Sequence, residues 1–78
     1  MWDERFEGIL RQHLPFLAAG EPLSAGMSLR DFGLDSMGTV EVLAKLEREY
    51  DIRFLDDALA MENFAAPEVL WSTISKIR

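Results

Sequence analysis

The chain has 78 residues, 49% of them apolar, with no cysteine and a formal net charge of −6. That length allows one small domain, which buries only about 60% of its unfolded surface and must fold without disulfides or thiolate metal ligation. Fourteen acidic against eight basic side chains disfavour a nucleic-acid binder, which needs Lys and Arg to neutralise phosphates; such a surface fits partners with basic patches, or merely keeps a small protein soluble. Met1 to Arg5 contain two acids and no apolar run, so no signal peptide is expected. No stretch approaches the roughly 20 apolar residues of a membrane span, and a cytoplasmic location is expected.

Trp2, Phe6, Ile9, Leu10, His13, Leu14 and Leu17 recur at helical spacing, with Asp3, Glu4, Glu7, Arg11 and Gln12 on the opposite face. This predicts an amphipathic first helix ending near Pro15. His13 falls on the apolar stripe and reads as a packed or boundary histidine. Residues 18 to 35 lack helical periodicity and hold Gly20, Pro22, Gly26 and Gly33. Leu23, Met27, Leu29, Phe32 and Leu34 are spaced as anchors for a long ordered loop, with one helical turn expected at Ser28 to Phe32. Loops of this length in small domains are usually functional or disordered, and the regular anchors favour order. Asp35 to Tyr50 forms the strongest helix, and Ile52-Arg53-Phe54 a short extended exit. One or two helical turns are expected at Asp56 to Met61, with Phe64 buried. Pro67 suits the first position of a last helix, whose inner face is Leu70, Thr73, Ile74 and Ile77, with Val69 and Trp71 at its edges. Ala66 is a poor N-cap for it.

The chemistry concentrates where the long loop meets the strong helix, at Phe32-Gly33-Leu34-Asp35-Ser36-Met37. A serine at a helix start sits among unpartnered N–H groups at the positive end of the dipole. A phosphodiester on the Ser36 hydroxyl is favoured there. Asp35 is placed to orient that hydroxyl or to bind the Mg²⁺ of a modifying enzyme, and Gly33 to supply a positive φ for a sharp entry. The same Asp-Ser pair also reads as an ordinary N-cap, so both roles stay open on these residues alone.

At about 100° per residue, Thr39, Val42, Leu43, Leu46 and Tyr50 fall in one core stripe. Met37, Glu41, Ala44 and Arg48 lie on the far side, with Val40 and Glu47 on one flank. Met37 and Val40 are thus apolar residues facing water one turn from Ser36, backed by acids. These six residues form a candidate partner-binding face.

Gly33-Leu34-Asp35-Ser36-Met37, followed by Thr39-Val40-Glu41-Val42-Leu43 and Leu46-Glu47, resembles the phosphopantetheine-attachment segment of the acyl carrier protein family. The likeness covers nearly the whole chain, with Phe64 and Ile74 at expected core sites. The resemblance implies an all-α fold, a small four-helix bundle of acyl carrier type. It has three main helices, a short third helix, and a long loop between helices 1 and 2. In that family the serine of Asp-Ser-Leu/Met carries covalent 4′-phosphopantetheine, which maps onto Ser36, with Asp35 beside it. The missing cysteines then mean that the reactive thiol is imported on the cofactor, while partner enzymes do the chemistry.

The resemblance further implies a single, freestanding, monomeric carrier domain over residues 1–78 that is not itself an enzyme. Its implied partners are a phosphopantetheinyl transferase, an adenylating enzyme that loads aminoacyl or acyl cargo, and downstream condensing or tailoring enzymes. Leu34 through Glu41, and Phe64-Ala65-Ala66-Pro67 with Leu70-Trp71, look most like D-alanyl carriers and freestanding peptidyl carriers of antibiotic pathways. Fatty-acid carriers commonly place an acid where Gly38 stands, another at Arg48, and a larger apolar residue at Ala44. The Gly-Gly-x-Ser motif of modular peptide synthetases is missing. An aminoacyl thioester in nonribosomal peptide biosynthesis is therefore expected. The alternatives are a fatty-acid or polyketide-type carrier, and a helical interaction module whose serine is never modified.

Enzyme classes fare poorly by comparison. A serine hydrolase needs a histidine beside its serine, but the single histidine here lies on the first helix's apolar stripe, and Gly-x-Ser-x-Gly is missing. No Gly-Lys-Ser/Thr phosphate loop, Cys/His metal set or Ca²⁺-loop spacing occurs. Asp56-Asp57 reads as a capping or solvated pair.

Overall fold

Asp3 starts the first helix. In a computed structural model describing residues 2–55 and 60–77, α1 spans Glu4–Arg11. The Asp3 Oδ1 accepts from the Phe6 N–H at 3.0 Å, satisfying an amide that the helix itself leaves unpartnered. The same carboxylate accepts from the Tyr50 hydroxyl, which ties the start of α1 to the end of the central helix. Periodicity predicted a longer first helix, from Trp2 almost to Pro15. Proline disfavours helical backbone at the residue before it, so the chain leaves α1 earlier and turns through i→i+3 bonds. His13 donates to the Leu10 carbonyl at 2.9 Å, and Leu17 to that of Leu14 at 3.1 Å. Leu14 nonetheless stays fully buried.

The central helix, α2, spans Ser36–Tyr50. Its predicted stripe is inside: Val42 and Leu46 are fully buried and Thr39 nearly so, while Leu43 and Tyr50 pack as half-buried flanks. α2 ends at Asp51, whose φ of 53° is left-handed, a conformation that Asp tolerates better than most residues. In the exit that follows, Ile52 and Phe54 are buried, and Arg53 and Leu55 exposed; this alternation marks extended chain. The turns expected at Asp56 to Met61 lie, apart from their last two residues, outside the described residues. A 3₁₀ turn spans Met61–Phe64, and α3 spans Pro67–Ile77 with Leu70, Thr73 and Ile74 inward.

One apolar core joins these elements. Phe6 of α1 meets Trp71 of α3 edge-on, ring centroids 5.0 Å apart, and Trp71 meets Tyr50 of α2 at 6.0 Å. Phe54 and Phe64 pack at 5.8 Å. The long loop is pinned by buried Leu23, Leu29 and Leu34 and stitched by backbone bonds from Leu29 to the Ala65 carbonyl and from Glu68 to the Ala25 carbonyl, each 3.0 Å. No buried side-chain nitrogen or oxygen among the described residues lacks a partner. Among the described residues the architecture is an all-α bundle, three α-helices and a short 3₁₀ helix with a long ordered loop after the first. No helix among the described residues is long and apolar enough to cross a membrane.

Candidate functional site

The entry to α2 divides two roles that the sequence left merged. Asp35, in extended conformation with φ −96° and ψ −177°, is the N-cap. Its Oδ1 accepts from the Gly38 N–H at 2.7 Å, and its carbonyl accepts from the Thr39 N–H and hydroxyl, both at 2.8 Å. Ser36 is consequently the first residue of the helix rather than its cap. Its side chain is exposed, and its hydroxyl has no hydrogen-bond partner among the described residues. Because Asp35 does the capping, Ser36 keeps an uncommitted oxygen at the positive end of a 15-residue helix.

The approach to this corner depends on Gly33, whose φ of 105° is a region that side chains rarely adopt. A Cβ there would lie 2.7 Å from the Pro15 ring carbons and 3.2 Å from the Phe16 ring. The positive φ expected from the sequence is therefore present, and a close approach of the end of α1's loop adds a second reason for glycine. The turn before Gly33 is held by bonds from Phe32 to the Leu29 carbonyl, Gly33 to the Arg30 carbonyl and Leu34 to the Leu29 carbonyl, at 3.0–3.2 Å.

Beside Ser36 opens a groove of about 810 Å³. Leu34 and Thr39 line it together with Phe64 and Ala65, and Arg30 and Glu62 add one charge of each sign. None of these last four residues was singled out as functional from the sequence. They come from the long loop and the 3₁₀ turn, which only folding brings to the start of α2.

The expected partner face is largely open. Met37 is 74% and Val40 66% exposed, and Glu41, Ala44 and Arg48 are exposed beside them. Glu47 differs. It is half-buried, and its Oε2 accepts from the Phe54 N–H at 2.9 Å, so it fixes the chain leaving α2. Glu41 lies 3.5 Å from His13 Nδ1, while Lys45 Nζ lies 3.2 Å from His13 Nε2 and donates to Gln12 at 2.8 Å. His13 is thus the boundary histidine its position predicted, bridging the two ends of an ionic row. Phe16, 72% exposed and packed beside Gly33, adds an apolar ring near the entry that helical periodicity did not mark.

The site suits a phosphodiester-linked arm on chemical grounds: an accessible hydroxyl, a helix N-terminus with no acidic side chain in its first turn, and a groove alongside. Compared with known protein families, residues 7–65 match the PP-binding family, described as a phosphopantetheine attachment site. No curated protein matches the chain. The family attaches 4′-phosphopantetheine covalently to a serine, and the matched stretch takes in the loop, α2 and the 3₁₀ turn that build the groove. The chain belongs to this phosphopantetheine-binding family of carrier domains.

Proposed function

We propose that Ser36 is the attachment serine, and that the chain tethers an aminoacyl or acyl group on the arm and presents it to partner biosynthetic enzymes. The supporting observation is the uncommitted Ser36 hydroxyl at the capped start of α2. Three serines fall within residues 7–65. Ser28 accepts from the Asp31 N–H, and Ser24 lies in the loop away from any helix start. The bound arm supplies the thiol that holds cargo as a thioester. The protein's own residues anchor the arm, leave it accessible, and display Met37, Val40 and Glu41 next to it.

Peptide natural-product assembly with aminoacyl cargo is the reading best supported within the family. Gly38 bears on it. A Cβ there would lie 3.1 Å from Asp35 Oδ1 and 3.2 Å from Leu34 Cδ1, so the acid that fatty-acid carriers commonly hold at this position would crowd the capping carboxylate. Incubation with coenzyme A, Mg²⁺ and a broad-specificity phosphopantetheinyl transferase tests the assignment by intact mass. One added phosphopantetheine, lost in Ser36→Ala, is expected. No addition to folded wild-type protein across several transferases would leave an unmodified interaction module as the better reading. Met37→Ala or Glu41→Lys should weaken loading or transfer while leaving the helical CD signal unchanged. Equal activity of both variants with every partner enzyme would place the docking surface elsewhere.

A further inference from the structure

A phosphodiester on Ser36 adds a negative charge to a chain already at −6, and it does so directly beside the Asp35 carboxylate. The helix start compensates only in part, because the Gly38 and Thr39 amides of the first turn already donate to Asp35. A cation nearby would offset that charge, and the groove holds one. Among the described residues lining it, Arg30 is the one basic residue. The turn described above fixes its backbone, with buried Leu29 and Leu34 on either side, so Arg30 is presented from a pinned segment rather than a loose one. Among the described residues it also lacks a partner, as do Arg48, Arg53 and Lys76, which do not line the groove. Arg5 pairs with Asp3 and Glu49, Arg11 with Glu7 and the Glu21 carbonyl, and Lys45 with Gln12 and His13. Arg30 has no hydrogen bond or ion pair among the described residues. A planar guanidinium with several donors matches phosphate oxygens better than an ammonium does.

Resting on the assignment of the arm to Ser36, we propose that Arg30 is the positioning residue for the arm's phosphodiester, holding it against the groove between the long loop and the 3₁₀ turn. The pairing gives the arm a preferred resting direction, toward Phe64 and Ala65 and away from the Met37/Val40 face. That face is then left open to partner enzymes.

The test uses the full chain in apo and holo forms, with attachment verified by intact mass. In ¹H–¹⁵N spectra the Arg30 Nε–Hε cross-peak should shift on conversion to holo, by more than those of Arg48 and Arg53. The shift should shrink in 1 M salt, where the screening length falls to about 3 Å. In holo Arg30→Ala the ³¹P resonance should move toward its position in urea-unfolded holo protein, and Arg30→Lys should fall between the two. Since Arg30 is exposed, CD should show both variants folded. A mass gain with an unmoved Arg30 cross-peak and an unchanged ³¹P resonance in Arg30→Ala overturns this proposal alone. Absence of any mass gain overturns the Ser36 assignment, and this proposal with it.

Discussion

Replacing Asp35 and Ser36 separately distinguishes the residue that builds the helix start from the residue that carries the arm. Asp35→Ala deletes the 2.7 Å bond to the Gly38 N–H and a carboxylate at the positive end of α2. Losing an N-cap side chain costs about 0.5–2 kcal/mol, and losing the charge about 0.3–1 kcal/mol at an exposed position. The expected destabilisation is therefore about 1–2.5 kcal/mol, or roughly 5–15 °C in Tm for a domain of this size. Asp35→Asn keeps a capping oxygen and should lose only the charge contribution. Ser36→Ala removes an exposed hydroxyl with no partner among the described residues and should stay within about 0.5 kcal/mol of wild type. Urea and thermal melts followed by CD at 222 nm measure all three on one scale, and intact mass after transferase treatment measures loading. Asp35→Asn should stay folded yet load more slowly if the carboxylate serves the transferase, whereas Ser36→Ala should stay folded and not load at all. A Ser36→Ala loss above about 1 kcal/mol would show that the serine hydroxyl belongs to the cap after all. Unchanged stability in Asp35→Ala would refute the capping geometry.

Leu46→Ala, at a fully buried position, should cost about 2–5 kcal/mol by lost burial and a residual cavity, while Met37→Ala, at an exposed one, should stay within about 0.5 kcal/mol; similar urea midpoints for the two would mean that α2 is rotated from the orientation described. Gly33→Ala should destabilise by about 1–3 kcal/mol, because it forces a side chain into the positive-φ region and against Pro15, and a neutral result in the same melts would contradict that crowding. Glu7 accepts from the Trp2 indole at 3.1 Å and from Arg11 at 3.0 Å; these bonds, the indole's first, hold its carboxyl below the usual glutamate range. Its folded value is thus depressed, so its contribution is present above the unfolded value of about 4.3 and fades as pH falls through the folded value. The stability gap between wild type and Glu7→Gln should be open at pH 7 and close in acid, and a gap independent of pH would rule the linkage out.

Local rules carried the helices a long way. The core stripe of α2, Pro67 at the head of α3 and the positive φ of Gly33 were all legible, because each depends on neighbours a few residues away. The misjudged element shows the same logic failing. The apolar spacing of α1 runs on through Leu14, which is buried in the core, and Leu17, which packs against it. Pro15 nevertheless ends the helix at Arg11, because burial can be met by a turn as well as by a helix. The helical wheel put Glu47 on a flank of the candidate partner face, yet the extended exit folds back and claims its carboxylate through the Phe54 amide.

Helical period and neighbouring residues were enough to put a serine at the start of an amphipathic helix, next to an acid and a methionine on its outer face. What the sequence by itself could not decide was which of Asp35 and Ser36 caps that helix, since both residue types can do so and the choice turns on where the backbone becomes helical. Tertiary structure gave the cap to Asp35 and left the Ser36 hydroxyl uncommitted. It also brought Arg30 and Glu62 to the same groove, 32 positions apart in the sequence. No local pattern encodes that meeting, because it depends on how the long loop and the 3₁₀ turn pack over one shared core.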